Sequence, residues 1–380
     1  MLQQEFFRQK LACAYFFFIP SLAYGILTSR LPALKIAMQA NDSQIGYTLL
    51  ALGIATLCGL FSADFLIRRY NAKLVTMAAA VFMSVAMIIA GFAANYWQFT
   101  IFCLIAGLGV GLCDVGMNAL GIHLEQTSKI LCLSFLHACS SIGGAAGAIS
   151  GSICAEFDID PFWNFVLVLG VWLAFCQLAF RNIQEDKATA KKAASPLPVG
   201  KIPLFVCLCG ALSLLCHIVE GSTAEWGSLL LTTVKRASQE EAALVFACFT
   251  SAMVVCRLFS DRIRSRFSDF QLTFFGSLIG AAGMALVLIS SWPLVCLAGY
   301  AIMGVGVAPI TPLLFSRAGA TPSVSPGRAS AVVSLFAYSG LLFFPPFIGI
   351  MANRLGLLQT LWVIVAICLL MTLGSRILKK

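Results

Sequence analysis

The 380 residues are 60% hydrophobic and only 11% charged, with a formal net charge of +9 and a mean hydropathy of +0.93. A soluble domain carries roughly a quarter of its residues as charges, and no soluble core has room for this much apolar surface. Apolar runs of about 20 residues, each long enough to cross a bilayer, recur from end to end, so the chain reads as an all-α polytopic membrane protein.

The basic excess is scattered through short loops rather than gathered on one face, which argues against a nucleic-acid partner. The fifteen cysteines all fall inside apolar runs, where they read as small buried thiols rather than a disulfide framework or a metal site. Hydropathy and turn residues predict twelve spans, roughly 11–30, 44–66, 74–95, 98–125, 131–154, 162–180, 202–224, 241–261, 271–291, 293–317, 329–351 and 357–376.

Arg8 and Lys10 precede the first run as in a signal peptide. The run continues into Arg30-Leu-Pro rather than a small-residue cleavage site, so it is expected to stay as span one. Between spans two and three lies Asp64-Phe-Leu-Ile-Arg68-Arg69. An Asp at a helix end facing Arg across a short loop can act as a charge latch; the plainer alternative is cytoplasmic positive charge alone.

Span four carries Gly107, Gly111, Asp114, Asn118, Gly121 and Glu125 on one helical face, with mostly Leu, Val, Ile and Met opposite. That seam of small and polar residues is expected to face something wet. On insertion scales an Asp at a helix centre costs about 2.5–3.5 kcal/mol, which cancels roughly five to seven Leu or Ile residues. Asp114 is therefore the first candidate for a proton- or solute-binding carboxylate, with Asn118 one turn away as a candidate partner. In span five, His137 shares a stripe with Ser134, Ser141 and Gly144. A short loop joins the two spans, so their stripes are expected to face each other, with His137 as a possible proton relay to Asp114.

The longest polar interruption, 181–201, includes Gln184-Glu-Asp-Lys187 and the Pro196-Leu-Pro198 pair, and reads as a cytoplasmic linker. It separates an N-terminal bundle, 1–180, from a C-terminal bundle, 202–380. In span seven Ser213, His217 and Glu220 recur on one stripe, with Glu225-Trp226 at the boundary and Trp226 in the position of an aromatic-belt residue. Thr311 between Pro309 and Pro312, and Tyr338 with Ser339, are candidate cavity groups of the second half. The prolines leave carbonyls without donors inside the membrane, tolerable only where protein or water satisfies them.

With both termini and the linker inside, five of the twenty-five Lys and Arg residues (Arg30, Lys35, Lys235, Arg236, Arg354) fall outside and the other twenty fall inside. The positive-inside rule then places both termini in the cytoplasm. A shift of 197 residues carries Asp64 onto Asp261, Arg69 onto Arg266, Gly107 onto Gly304, Gly109 onto Gly306 and Gly143 onto Gly340. Two parallel six-helix repeats put a solute site near the midplane between them. Asp261 and Arg266 thus join Asp64, Arg68 and Arg69 as latch candidates.

The loop Asp64 to Arg69 resembles the cytoplasmic signature of the major facilitator superfamily, with Leu60 where that signature has Gly and Gly59 beside it. Three further stretches are similar to a bacterial inner-membrane branch related to the fucose permeases: Asp114-Val-Gly-Met-Asn118 through Glu125, His137 through Gly144, and Glu220 through Trp226. Gly340, Pro345-Pro346 and Gly349 of span eleven add to that likeness. The resemblance implies twelve helices in two pseudo-symmetric bundles and secondary transport across the bacterial cytoplasmic membrane. It does not imply fucose, since Leu11 to Ser29 holds no carboxylate.

The expected function is proton-coupled uptake of a small polar metabolite such as a sugar, by a monomer in contact with membrane lipid. Asp114, Asn118, His137, Ser141, His217, Glu220 and Tyr338 would bind solute and protons. The alternatives are a proton antiporter exporting a cationic or amphiphilic compound, and a sensor or scaffold that kept the fold and lost transport. No P-loop, zinc-binding His pair or nucleophilic triad points to an enzyme, and no cofactor or metal is expected.

Overall fold

The structure is a computed structural model that describes residues 2–40, 42–183, 202–237, 239–322 and 324–379. The expected linker, 181–201, falls outside the described residues from 184 onward. Helices follow one another along the chain: α1 (Leu2–Ala37), α2 (Asp42–Tyr70), α3 (Ala72–Ala90), α4 (Tyr96–Ser128), α5 (Leu133–Glu156), α6 (Pro161–Asn182), α7 (Leu204–Thr233), α8 (Gln239–Arg264), α9 (Asp269–Ile289), α10 (Pro293–Val307), α11 (Ile310–Gly319), α12 (Pro326–Leu355), α13 (Leu357–Thr360) and α14 (Trp362–Gly374). A 3₁₀ turn, Ser375–Leu378, ends the series. Among the described residues eleven segments are long and apolar enough to cross a membrane, and the thirty-residue α12 supplies the twelfth pass.

Helix starts follow local chemistry. Asn71 and Asn95 accept from the third amide beyond them. Asp160 accepts from Phe162 ahead of Pro161, and Ser268 forms a reciprocal capping box with Gln271. Expected span ten is not one rod. It breaks between Val307 and Ile310, because neither Pro309 nor Pro312 can donate to the carbonyl four residues back.

The described residues fall into two compact units. The first takes those within Met1–Cys132, Cys139–Lys201 and Pro322–Ala331; the second those within Leu133–Ala138, Ile202–Thr321 and Val332–Lys380. The first turns of α5 thus belong to the second unit and the start of α12 to the first.

The 197-residue repeat is visible in the helix packing of each unit. A Cβ on Gly107 would stand 2.4 Å from the Leu52 carbonyl, and one on Gly304 would stand 2.4 Å from that of Phe249, the residue 197 places after Leu52. Gly109 approaches Ala79 and Met83, while Gly306 approaches Gly276 and Gly280, again 197 places on. The stripe on α4 therefore has a structural duty. Gly107 and Gly111 let α4 lie directly on the α2 backbone, so at its glycine end the seam faces protein rather than water.

Arg30 is 5% exposed. Its guanidinium donates to the carbonyls of Gly151 and Ile159, tying the end of α1 to the end of α5. All fifteen cysteines are free thiols.

Candidate functional site

In the first unit, Asp114 sits half-buried on α4 and Asn118 is fully buried one turn on. The Asn118 amide donates to the Asp114 backbone carbonyl at 2.9 Å. Ser330 of α12 donates to the carbonyl of Val115, the residue after Asp114, at 3.0 Å. Ser141 is half-buried on α5. At the end of α2, Arg68 pairs with Asp64 at 3.1 Å within the helix, while Arg69 turns outward over the Tyr70 ring. Arg328 of α12 also acts electrostatically on Asp64.

The second unit gathers more ionisable chemistry. His217 and Glu220 lie on α7, and the His217 Nδ1 donates to the Ser213 carbonyl at 2.9 Å. That bond leaves the Nε2 lone pair as the acceptor of a neutral imidazole. Arg257 of α8, 5% exposed, faces Glu220 across 4.0 Å. His137 also belongs here: its ring lies 5.7 Å from Phe315 of α11, and both His217 and Arg257 act on it electrostatically. Asp114 lies in the first unit and His137 in the second. Tyr338 sits half-buried on α12.

The helix break joins this group. Pro312 has no N–H for the Ala308 carbonyl, and Arg257 Nε donates to that carbonyl at 3.1 Å. Pro309 likewise deprives the Val305 carbonyl, which accepts from Cys256 Sγ at 3.5 Å. Cys216 of α7 donates to Val307 at 3.7 Å. Side chains of α8 thus reach both carbonyls that the prolines free.

The latch candidates of the second half have different partners from those expected. Asp261 accepts from the backbone amides of Ser134 at 3.2 Å and Phe135 at 3.0 Å, capping the first turn of α5, whose N-cap Cys132 makes no side-chain cap. No ion pair joins Asp261 to Arg266 among the described residues. The ionic cluster lies instead on Asp269, 3.4 Å from both Arg264 and Arg317. Glu125 accepts from the Cys132 amide at 2.8 Å, and Trp226 lays its ring edge on Gly349.

Sequence reasoning missed Arg257 and the Asp269 cluster. Counting charge by loops puts Arg257 with the cytoplasmic cations. The available signal was its setting, since Phe249 to Phe259 is otherwise uncharged and Arg257 lies a full turn inside Asp261.

These features define a polytopic helical carrier with internally repeated halves and ionisable groups inside its spans. The chain belongs to the Major Facilitator Superfamily, whose family model matches residues 11–320, and it is accordingly a secondary transporter. It is 27% identical over 370 residues to the membrane protein MosC of Rhizobium meliloti, covering 96% of this chain and 88% of MosC. It is 25% identical to an uncharacterized MFS-type transporter of Yersinia pestis, covering 97% and 94%. Among solved structures, FucP in its outward conformation superposes with a TM-score of 0.77 at 14% identity, covering 99% of this chain and 100% of that one. The proton:xylose symporter XylE gives 0.74 at 13%, covering 98% and 95%.

Proposed function

We propose that the protein imports a small polar metabolite such as a sugar together with protons, by alternating access across the bacterial cytoplasmic membrane, with both termini cytoplasmic. The observation that carries this reading is the group His217, Glu220, Arg257 and His137 inside the second unit. Glu220 keeps 30% of its side chain exposed while Arg257 keeps 6%, so the carboxylate is the member a proton can reach. Asp114, half-buried in the other unit, supplies a second carboxylate. Two proteins of this fold are described as proton symporters of sugars, xylose and fucose. Export of a cation by proton antiport fits less well, because Arg257 already places a positive charge beside Glu220. Asp64 and Asp261 act in this scheme as latch residues, each at the end of a helix whose partner turn must move.

The test uses the purified chain in proteoliposomes with a sugar panel, first scored by thermal stabilisation, then by uptake under an imposed pH gradient. Asp114→Asn and Glu220→Gln are expected to retain solute counterflow and to lose pH-driven accumulation. Undiminished accumulation in both variants would overturn proton coupling, and accumulation driven outward would overturn import.

A further inference from the structure

The two halves differ where α8 passes α10. In the first unit Gly107 and Gly111 both seat α4 on α2, and Gly59 of α2 meets them, since a Cβ added to it would stand 2.4 Å from the Leu108 carbonyl. Counting on 197 residues, Gly107 has its match in Gly304, but Gly111 becomes Ala308 and Gly59 becomes Cys256. The contact of Gly304 with the Phe249 carbonyl is kept. One turn further on, side chains stand where the other half has none, and the Cys256 thiol reaches across to the Val305 carbonyl at 3.5 Å. Helices joined at one level and held apart at the next enclose a wedge.

That wedge is a groove of about 240 Å³. Ile263 and Phe267 of α8 and the loop after it form one wall, Phe275 and Ile279 of α9 the other, and Val305 and Pro309 line it at the helix break. Ser260 also lines it, but its hydroxyl donates to the Cys256 carbonyl of its own helix at 2.7 Å, so the groove presents carbon. Phe267, Phe275, Ile279 and Val305 are all exposed, and apolar side chains exposed on a span face the hydrocarbon of the membrane. From Cys256 to Phe267 the groove runs about 16 Å at helical rise, close to one leaflet of a ~30 Å hydrocarbon core. A dry apolar cavity of ~150 Å³ holds benzene, so this groove has room for a stretch of alkyl chain.

Charge gathers at the loop end of the same wall. Arg262 and Arg266, each next in sequence to a lining residue, are exposed, and among the described residues neither makes an ion pair. The carboxylates nearby are engaged elsewhere, Asp261 with the Ser134 and Phe135 amides and Asp269 with Arg264 and Arg317. The end of α8 therefore carries uncommitted positive charge beside an apolar slot.

We propose that the groove between α8, α9 and α10 holds one acyl chain of an anionic phospholipid, whose phosphate rests on Arg262 and Arg266. The lipid belongs to the leaflet on the side of the α8–α9 loop, the cytoplasmic one in the proposed orientation. A slot one leaflet long with cations at its end matches a headgroup and tail together. A sugar would find no polar partner in the groove, and free phosphate would leave it unfilled. The seat makes no demand on solute or coupling ion, so it stands or falls apart from the symport reading.

The test titrates the delipidated full chain in mild detergent with phosphatidylglycerol and, separately, with phosphatidylethanolamine of the same chains, read by native mass spectrometry. One phosphatidylglycerol should be retained per chain, on the order of tenfold more tightly than phosphatidylethanolamine, the scale that two cations at a membrane surface supply. Arg262→Gln combined with Arg266→Gln should bring the two lipids within about twofold of each other and leave the lipid-free thermal midpoint unchanged. Val305→Phe fills the groove from an exposed position and should weaken both lipids at least fivefold. Val255→Phe, at an exposed position outside the groove, should change neither. Equal retention of the two lipids by the wild type, a preference that survives the double Arg variant, or binding undiminished in Val305→Phe overturns the proposal. So does glycerol phosphate displacing the bound lipid, since that would make the site one for phosphate alone.

Discussion

The Asp261 cap on α5 gives the most direct measure of how the second unit holds its borrowed helix start. A helix leaves its first amides without intrahelical acceptors, and here the residue in the N-cap position, Cys132, contributes no side-chain cap. Both carboxylate oxygens of Asp261 are engaged by the Ser134 and Phe135 amides. Replacing a capping residue by Ala costs about 0.5–2 kcal/mol, and a charge at a helix N-terminus adds about 0.3–1 kcal/mol. Since Asp261 serves two amides and also carries the charge, Asp261→Ala should weaken this turn by about 2 kcal/mol, or roughly thirtyfold in local opening. Exchange at the Ser134 and Phe135 amides of the full chain reads this directly. Asp261→Asn keeps one acceptor oxygen and no charge, and should fall about midway on the logarithmic scale. If Asp261→Ala left both amides within about twofold of wild type, or if Asn behaved as Ala does, the cap would not be what holds the turn.

Two further perturbations separate packing from charge. Gly111→Ala sets a Cβ 2.1 Å from the Thr56 carbonyl, whereas a Cβ on Gly170 meets nothing within 4 Å. The first should cost about 1–3 kcal/mol and lower the thermal midpoint, while Gly170→Ala should be neutral or raise it. Arg257→Leu leaves Glu220 without its cation and Ala308 without its donor, and should cost about 3 kcal/mol. Adding Glu220→Ala should recover most of that loss, and a double variant no better than Arg257→Leu alone would show that the pair is not coupled.

The twelve passes were legible because a bilayer demands long apolar runs, and the repeat was legible because close helix packing demands glycine at fixed places. Gly107 and Gly304 illustrate both, since each meets a carbonyl 197 residues from its counterpart's. The chemistry was harder to read. Helical stripes placed Asp114, Asn118 and Glu125 on one face correctly in angle, but angle does not reveal whether a face meets a wet cavity or another backbone. Asn118 donates to the Asp114 carbonyl of its own helix, and Glu125 accepts from the Cys132 amide. Asp261 was singled out for its charge, yet its partners are amides of α5, and a backbone amide leaves no mark in a sequence. Arg257 was hidden by an averaging habit, since a cation near a helix end is counted with the loop even when its side chain runs inward.

The repeat also supplies a control for the ionisable group. Counting back 197 residues, Arg257 corresponds to Leu60, Glu220 to Ala23 and Asp114 forward to Thr311. Leu60 and Ala23 are 1% and 0% exposed, so one half of the protein fills with a Leu and an Ala the positions where the other carries an ion pair. Taking charges into such a setting costs several kcal/mol before their attraction returns any of it, and an apolar pair of similar volume is often as stable or more so. The fold therefore does not need Arg257 and Glu220, because its own other half does without them. The glycine packing, which both halves share, does not call for the pair either. What distinguishes the second half at these positions is the broken helix, where Pro309 and Pro312 stand against Leu112 and Val115 of the unbroken α4. The charge pair and the break occur in the same half and meet at the Ala308 carbonyl. The two departures from symmetry therefore share one hydrogen bond.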